Sequence, residues 1–386
     1  MSPLFSSTKK ELTLILDVQS SVIRGSLVLL DNIGSHPHVM FTYNANVPWK
    51  PHTDVAYLVK TTLKAIDETI NAIRRNLRLR HTKPCDLPKR IRSVHFVLSS
   101  PWIVSDAKIL LSEFSKNQEV SKDQILKMIA DERSKLAKED DKEIQVIEQK
   151  IFDVRLNGYS IKDWEGKSAK KLEVSYTVSV AGTRMIEKLK NLCNHDIHGC
   201  EVSFHSSLLL QVIGFGIVMP HVESYVLVHV HGELTEFAIV QNQLCEFFGS
   251  YPIGVKTMVR NIANVSKIDQ QAADSLLTLY IGGHLDKEYG HDQTDMITTI
   301  SKDWTEEMKK LLKNHAEIGT LPQSMVVSAW SHDDLFIKVL RDEYPGARIG
   351  LIEIDEILPF VSYDDLSERR RLTGLYALAI HSMSKK

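Results

Sequence analysis

The sequence predicts an α/β protein of two related halves with a smaller α+β block set between them. Three observations carry this. The first is the run from Tyr225 to Val230 and from Glu236 to Val240, two β-branched, aromatic-rich stretches around a polar turn containing Gly232. That is a β-hairpin signal. A third strand, Leu244 to Gly249, follows the turn Gln241-Asn242-Gln243. Pro252 and Gly254 then open a stretch in which Val255, Met258, Val259 and Ile262 recur at helical spacing. The second observation is that the start of the chain repeats the pattern. Leu12 to Leu16 reads as a buried strand, Asp17-Val18-Gln19-Ser20-Ser21 as a turn, and Val22 to Leu30 as the returning strand with Gly25 inside it. The third is a change of pattern between the halves, from about 93 to 181, with hairpin turns at Asn157-Gly158 and Glu165-Gly166-Lys167.

The remaining elements follow in order. Asp54 to Arg80 predicts a long amphipathic helix whose apolar face is Val55, Leu58, Val59, Ile66, Ile70, Ile73 and Leu77. Arg74, Arg75, Arg78 and Arg80 gather at its end, where they complement the helix dipole and solvate it; an acidic partner or an anionic membrane is the other reading. Val94 to Leu98 reads as a strand. Ser121 opens a helix with Gln124 at capping-box spacing, and Lys138 to Lys142 is a charged connector. Strands are expected at Val146 to Leu156, through Ile161, and from Leu172 to Val180. Helices are expected at Thr183 to Cys193 and Ser206 to Val212, with a short strand at Val202 to Phe204. After the second hairpin come a helix opened by Ser266 and Asp269 and closed at Gly282-Gly283, and an amphipathic helix from Ile297 to Lys313. A strand at Met325 to Val327, a helix at Asp333 to Leu340, a strand at Ile349 to Glu353 and an apolar helix at Leu372 to Ile380 complete the chain.

Composition sets outer limits. With 386 residues the chain is long enough for more than one core, and 43% hydrophobic with 25% charged residues is ordinary for a soluble globular protein. A net charge of -2 gives no reason to expect nucleic acid as a partner. Cys85, Cys193, Cys200 and Cys245 form no CxxC pair and read as small core residues in a reducing compartment. No apolar run approaches the roughly 20 residues that span a bilayer, and Met1 to Lys10 has no signal-peptide core, so a cytoplasmic location is expected.

Hairpin, long helix, α+β block, then hairpin, helix and strand again form a collinear order that resembles the bacterial actin-like family of the cell-division protein FtsA and its pilus-assembly relative PilM. Leu156-Asn157-Gly158-Tyr159, Gly166-Lys167 and Leu172-Glu173-Val174 are similar to that family's inserted block. Leu4-Phe5 and Lys9-Lys10-Glu11-Leu12 look most like PilM-type members. The resemblance implies an actin-like (ribonuclease H-like) two-lobe ATPase fold. It divides the chain into 1-92 for the start of the first lobe, 93-181 for the inserted subdomain, and 182-386 for the rest of the first lobe and the second lobe. It also implies a site for ATP with magnesium formed by Asp17, Gln19, Ser20, Ser21, His229, Gly232, Thr235, Glu236, Ser328 and Ala329, with Asp17 holding the metal through water.

Departures from the family pattern at that site point to a degenerate ATPase. The first phosphate turn, usually Asp-Ile-Gly-Ser/Thr-Ser, is Asp17-Val18-Gln19-Ser20-Ser21, with Gln19 where glycine permits close backbone approach. The second, usually Asp-Ile-Gly-Gly-Gly-Thr-Thr-Asp, is His229-Val230-His231-Gly232-Glu233-Leu234-Thr235-Glu236. Only Gly232 and Thr235 match outright, and Glu233 is expected to stand where phosphate oxygens would sit. A like-charge contact at ~4 Å and intermediate dielectric costs on the order of 4 kcal/mol. The adenosine-side glycine motif falls at Ser328-Ala329-Trp330-Ser331, which has no glycine.

Other clusters have simpler readings. His229 and His231 alternate on one strand face and resemble a metal pair, but no third ligand is identifiable. Cys193 and Cys200 flank His195 and His198, a spacing that the Gly199 turn also explains. Asp364, Asp365 and Glu368 before Arg369-Arg370-Arg371 read as a helix start and a solvated basic turn. No Ser-His-Asp, HExxH or P-loop spacing is present.

Two functions follow as expectations. One is a non-catalytic adapter or filament-forming scaffold at the inner face of the membrane. The resemblance implies as its partner the tubulin-like division protein, for FtsA-type members, or the cytoplasmic tail of an inner-membrane pilus protein, for PilM-type members. The other is a working ATPase with a rebuilt site. The inserted block leans toward FtsA, and the end at Lys386 directly after the last fold helix leans toward PilM. An exposed strand edge of the inserted block is expected to receive the partner by β-augmentation, with Val174 placed on its outer strand.

Overall fold

A computed structural model describes residues 10–31, 36–48, 54–82, 87–136, 143–285, 291–316, 321–329, 331–365 and 371–384. β1 (Lys10–Val18), β2 (Val22–Asp31) and β3 (His38–Asn46) form an antiparallel meander. α1 (Val55–His81) follows, capped by the Asp54 carboxylate, which accepts from the Tyr57 amide at 2.6 Å. β4 (Ile91–Leu98) runs parallel to β1. β5 (Ile103–Glu119), α2 (Lys122–Leu136), β6 (Ile144–Leu156), β7 (Tyr159–Ser160) and β8 (Ser168–Gly182) build a block of their own. α3 (Thr183–Asp196) and β9 (Glu201–Ser206) return to the first sheet, and α4 (Ser207–Val218) leads into the second half.

That half contains β10 (Tyr225–Val230), β11 (Thr235–Gln241) and β12 (Leu244–Tyr251). Helices α5 (Val255–Ser266), α6 (Gln270–Ile281) and α7 (His291–Ala316) follow. β13 (Ser324–Ala329), α8 (Asp333–Glu343), β14 (Arg348–Leu351) and α9 (Ile354–Ile357) come next. β15 (Ser362–Tyr363) and α10 (Arg371–Ser384) complete the order.

The two large sheets repeat one topology. One is ordered β15-β3-β2-β1-β4-β9 and the other β12-β11-β10-β13-β14. In each, an antiparallel meander is extended by two parallel strands reached through helices. This is the physical form of the repeat legible in the two hairpin sequences. α4 and α10 pack on one another between the sheets. Their burial follows from composition, since a helix apolar on nearly every side has to be covered. Leu372 to His381 are all buried, as are nine residues of α4.

The inserted block is a four-stranded antiparallel sheet ordered β5-β8-β6-β7, with α2 on one face over Leu172, Val174, Tyr176, Val154 and Leu156. The Ser121 hydroxyl accepts from the Gln124 amide at 3.2 Å, as the capping-box spacing expects. Val174 is not on an outer strand. It lies on the central strand β8, fully buried and paired with Leu110 on one side and Val154 on the other. Leu172 to Val180 alternates apolar with polar residues: Leu172, Val174 and Tyr176 face α2, and Ser175, Thr177 and Ser179 are buried on the opposite face.

Three strands escaped the sequence reading, the two-residue β15 and two longer ones. β3 carries mixed polarity, and the 17-residue β5 alternates charged with apolar residues at its N-terminal half and turns polar beyond Phe114. The basic end of α1 is tied down as well as solvated: Arg80 bonds Asp364 at 2.6 Å and the Met40 carbonyl at 2.7 Å. Asp364 is therefore a partner of α1 and of His38, not the start of a helix, and α10 begins at Arg371. Lys138 to Lys142, Cys85, Trp330 and Glu368 to Arg370 lie outside the described residues. No helix among the described residues is long and apolar enough to cross a membrane.

Candidate functional site: a closed cleft between two strand turns

The β1–β2 and β10–β11 turns face each other across the molecule. The first is closed by the Gln19 amide on the Val22 carbonyl at 3.1 Å, and the second by the His231 amide on the Leu234 carbonyl at 2.8 Å. The fold brings Asp17, Gln19, Ser20, Ser21, His229, Gly232, Thr235, Glu236, Ser328 and Ala329 to this region. All are buried except Ser328 and Ala329, which are half-buried.

Most charged and amide side chains of this region turn to another protein group, whereas Asp17 Oδ1 and the Ser20 and Ser21 hydroxyls are buried without a hydrogen-bond partner among the described residues. Asp17 takes the Gln19 side-chain amide at 2.9 Å and Arg24, its cross-strand partner, at 3.7 Å. Burial pushes the Asp17 carboxyl above the usual range, against the pull of Arg24, His231 and Gln19. His229 Nδ1 receives the Gln211 amide from α4 at 2.8 Å, with Ser328 Oγ at 3.4 Å. Burial, then the neighbouring His231 and Arg24, hold the His229 imidazole well below its ordinary value. His231 Nε2 meets Glu236 Oε2 at 2.8 Å, and Glu236 Oε1 accepts the Ser100 amide at 2.9 Å. Burial alone would raise Glu236; the hydrogen bond and charge of His231 and the Ser100 amide outweigh it and bring the carboxyl below its usual value. Thr235 points away from the opening, donating to the Ile253 carbonyl at 2.7 Å and accepting from Trp304 at 2.8 Å.

Glu233 is not where the sequence placed it. Arg260 of α5 takes its carboxylate at both oxygens, at 2.9 and 2.5 Å, and Thr257 adds a contact at 3.4 Å. The charge is drawn to the helix flank because Arg260 sits one turn beyond Lys256 on the face that meets the turn. The residue leaves the space between the turns.

That space is filled from both sides. A Cβ built on Gly232 would stand 2.1 Å from the Ser21 hydroxyl oxygen, so the first turn already rests on the second. The Lys256 ammonium reaches the Ser21 carbonyl at 3.5 Å, and burial lowers its basicity. The N-terminus of α5, where free backbone N–H groups would attract an anion, is occupied. Val255 donates to the His231 carbonyl at 3.0 Å, while Lys256 and Thr257 donate to the Gly232 carbonyl at 2.6 and 3.3 Å. Gly254 permits this approach: a Cβ there would lie 2.4 Å from His231 O, 2.6 Å from Leu234 N and 2.7 Å from Gly232 O, all backbone.

Among the described residues, a cavity of about 40 Å³ lies between the lobes, lined by Gln19, Arg24, Gln211, His229, Ser328 and Arg371 among others. A volume of that size has room for a few waters, whereas small-molecule sites run to several hundred Å³. Gln19 Oε1, Gln211 Oε1 and His229 Nε2 are buried there with no partner among the described residues, which suits water. Arg371 is a structural tie across the cleft, not a solvated basic residue. It bonds Asp333, whose other oxygen takes the Ala329 amide at 2.8 Å, and it reaches the Ile352 carbonyl at 3.4 Å. Gln211, Lys256, Arg260, Asp333, Arg371 and Ser100 were not legible as site residues. Of these only the Lys256–Arg260 spacing at the start of a helix offered a signal. Among the described residues no group of three His, Cys, Asp or Glu is arranged to hold a metal.

With this geometry established, solved structures supply the comparison. The PilM-PilN type IV pilus biogenesis complex superposes with a TM-score of 0.66 over 97% of this chain and 98% of that chain, at 14% identity. The chain has the actin-like ATPase fold. The ethanolamine utilization protein EutJ from Carboxydothermus hydrogenoformans is similar over 98% of this chain and 91% of that one, at 11% identity and a TM-score of 0.47. MreB 5 of Spiroplasma citri, bound to AMPPNP, is similar over 97% of this chain and 95% of that one, at 10% identity and a TM-score of 0.44. No protein-family model matches the sequence, and no curated protein matches it.

Proposed function

We propose that this chain is a non-catalytic adapter of actin-like build that holds a partner protein at the inner face of the cell membrane. The observation that carries the reading is the cleft. Its phosphate-facing turns touch, its helix N-terminus is capped by backbone carbonyls, and its lobes are cross-tied by Gln211–His229, Ser100–Glu236 and Arg371–Asp333. A nucleotide would have to break several of these contacts to enter. The bridging work that ATP and magnesium do in an actin-like ATPase is thus assigned to protein groups.

The likeness to PilM, whose structure was solved in a complex with PilN, favours a pilus-assembly protein as the partner. Among the described residues, two strand edges without a ladder partner face each other and offer a seat for it. β9 ends the first sheet and β6 is flanked on its outer side only by the two residues of β7. Gln145 to Gln149 of β6 and Val202 to His205 of β9 line a groove of about 500 Å³ with Ile186 and Lys190 of α3. An extended peptide can add to such an edge, with backbone bonds giving affinity and side-chain pockets giving selectivity. The groove is anchored at one end by Glu148, which takes His205 at 2.8 Å and the Ser206 amide at 2.9 Å.

The test is recruitment to the envelope of its own cells. The parent chain, fluorescently tagged, should collect there, and the double substitution Ile147→Ser and Val202→Ser, at positions packed on the first core, should leave it diffuse while still unfolding in one cooperative transition. A well-folded variant that still collects at the envelope would refute the groove as the partner site.

A further inference from the structure

We infer that the chain pairs with a second copy of itself through the outer edge of β5. This edge belongs to the inserted block but lies on the opposite side of its sheet from β6 and β7, so the inference does not rest on the adapter reading. β5 is bonded to β8 along one side from Ile103 to Glu113; no strand among the described residues forms a ladder with its other side, and β12 of the second half packs close against β5. An edge of this length offers a row of unmet N–H and C=O groups, which proteins ordinarily blunt with charge, proline or a bulge. Here the bulge falls only beyond Glu113, and Asp106 and Lys108 neutralise each other at 3.4 Å. Between them and the bulge, Ile109 and Leu111 stand 56% and 64% exposed.

The occupant follows from the spacing of these two side chains. They lie on one face of the sheet, two residues apart, because side chains alternate along a strand. A twofold axis normal to the sheet requires antiparallel strands whose opposed residues share a face. Pairing about Leu110 then sets Ile109 of each copy opposite Leu111 of the other. All four exposed apolar side chains cover one another in this register, and it sets Lys108 opposite Ser112 and Ala107 opposite Glu113, so no like charges oppose. Such a closed, self-complementary contact ends at two copies. Being a single strand pair, it falls at the small end of interfaces and should be reversible.

Sedimentation velocity across micromolar to submillimolar concentrations should show a monomer–dimer equilibrium. Leu111→Lys and Ile109→Lys should each weaken it by at least about tenfold with an unchanged melting profile. Mixing an Ile109→Cys chain with a differently tagged Leu111→Cys chain under mild oxidation should yield the mixed cross-link in excess of either self-cross-link. A chain that stays monomeric throughout, a dimer indifferent to Leu111→Lys, or cross-links that ignore the Ile109–Leu111 pairing would each overturn the inference. A monomer whose Leu111→Lys variant loses envelope recruitment would overturn it too, by giving this edge to a foreign strand.

Discussion

Lowering the pH from 6.5 to 5 is expected to destabilise the fold by on the order of 2 kcal/mol for each of two buried histidines. His95 is held down at about 3 by burial and by His205, whose Nε2 lies 3.0 Å from its Nδ1. His229 is held well below its usual value by burial, His231 and Arg24. In the unfolded chain both titrate near 6.5. Below that value the unfolded chain takes up two protons that the native chain refuses, so stability rises with pH across the window and is lost on acidification. Glu236, shifted the other way for a carboxyl, contributes stability above about 4.5 that goes only as the pH drops further, through its lowered native value. Asp17, raised by burial, opposes the loss in part, because the native carboxyl holds a proton above 3.8 where the unfolded one has released it. Urea unfolding at several pH values from 7.5 to 5 should give a slope approaching two protons, and His95→Asn or His229→Asn should each remove about one. A flat profile would contradict the assignment of both rings as buried and neutral.

Gly254→Ala should cost about 3 kcal/mol or more, in the range of severe overpacking. The added methyl would meet three backbone atoms of the 231–234 turn at 2.4 to 2.7 Å, and backbone cannot move aside as the end of a flexible side chain can. Shifting the turn would also strip the carbonyls of His231 and Gly232 from the first amides of α5. Gly346→Ala is the matched control. It is exposed and a Cβ there meets nothing within 4 Å, so its effect should stay within about 0.5 kcal/mol. Denaturant midpoints of the two variants settle the comparison, and equal midpoints would show that the turn is not packed on α5 as described.

Periodicity made the repeated half legible because strands buried on both faces, such as Leu12–Leu16 and Tyr225–Val230, have no competing polar pattern. β3 and β5 were lost although polar and apolar residues alternate along them, because neither offers the continuous apolar run that marks a strand buried on both faces. Val174 was misplaced because β8 alternates like a strand with one solvated face, while Ser175, Thr177 and Ser179 on that face are in fact buried. In the site, the turn residues were visible as departures from a pattern, but where their side chains point was not. Glu233 illustrates this, since its destination depends on Arg260, 27 residues later and one helix away. Arg371 and Asp333 are 38 residues apart and find each other only because α10 returns between the lobes. Such ties rest on tertiary placement and leave no local signature.

The most direct test of the closed cleft is isothermal titration of the intact chain with ATP and magnesium, paired with a melting curve at the same concentrations. With the turns in contact and room for a few waters between the lobes, the expected result is no saturable heat and a melting temperature that stays where it is, because a ligand far below its dissociation constant adds almost no stability. Saturable binding at micromolar ATP, with a melting temperature raised by several degrees, would contradict it.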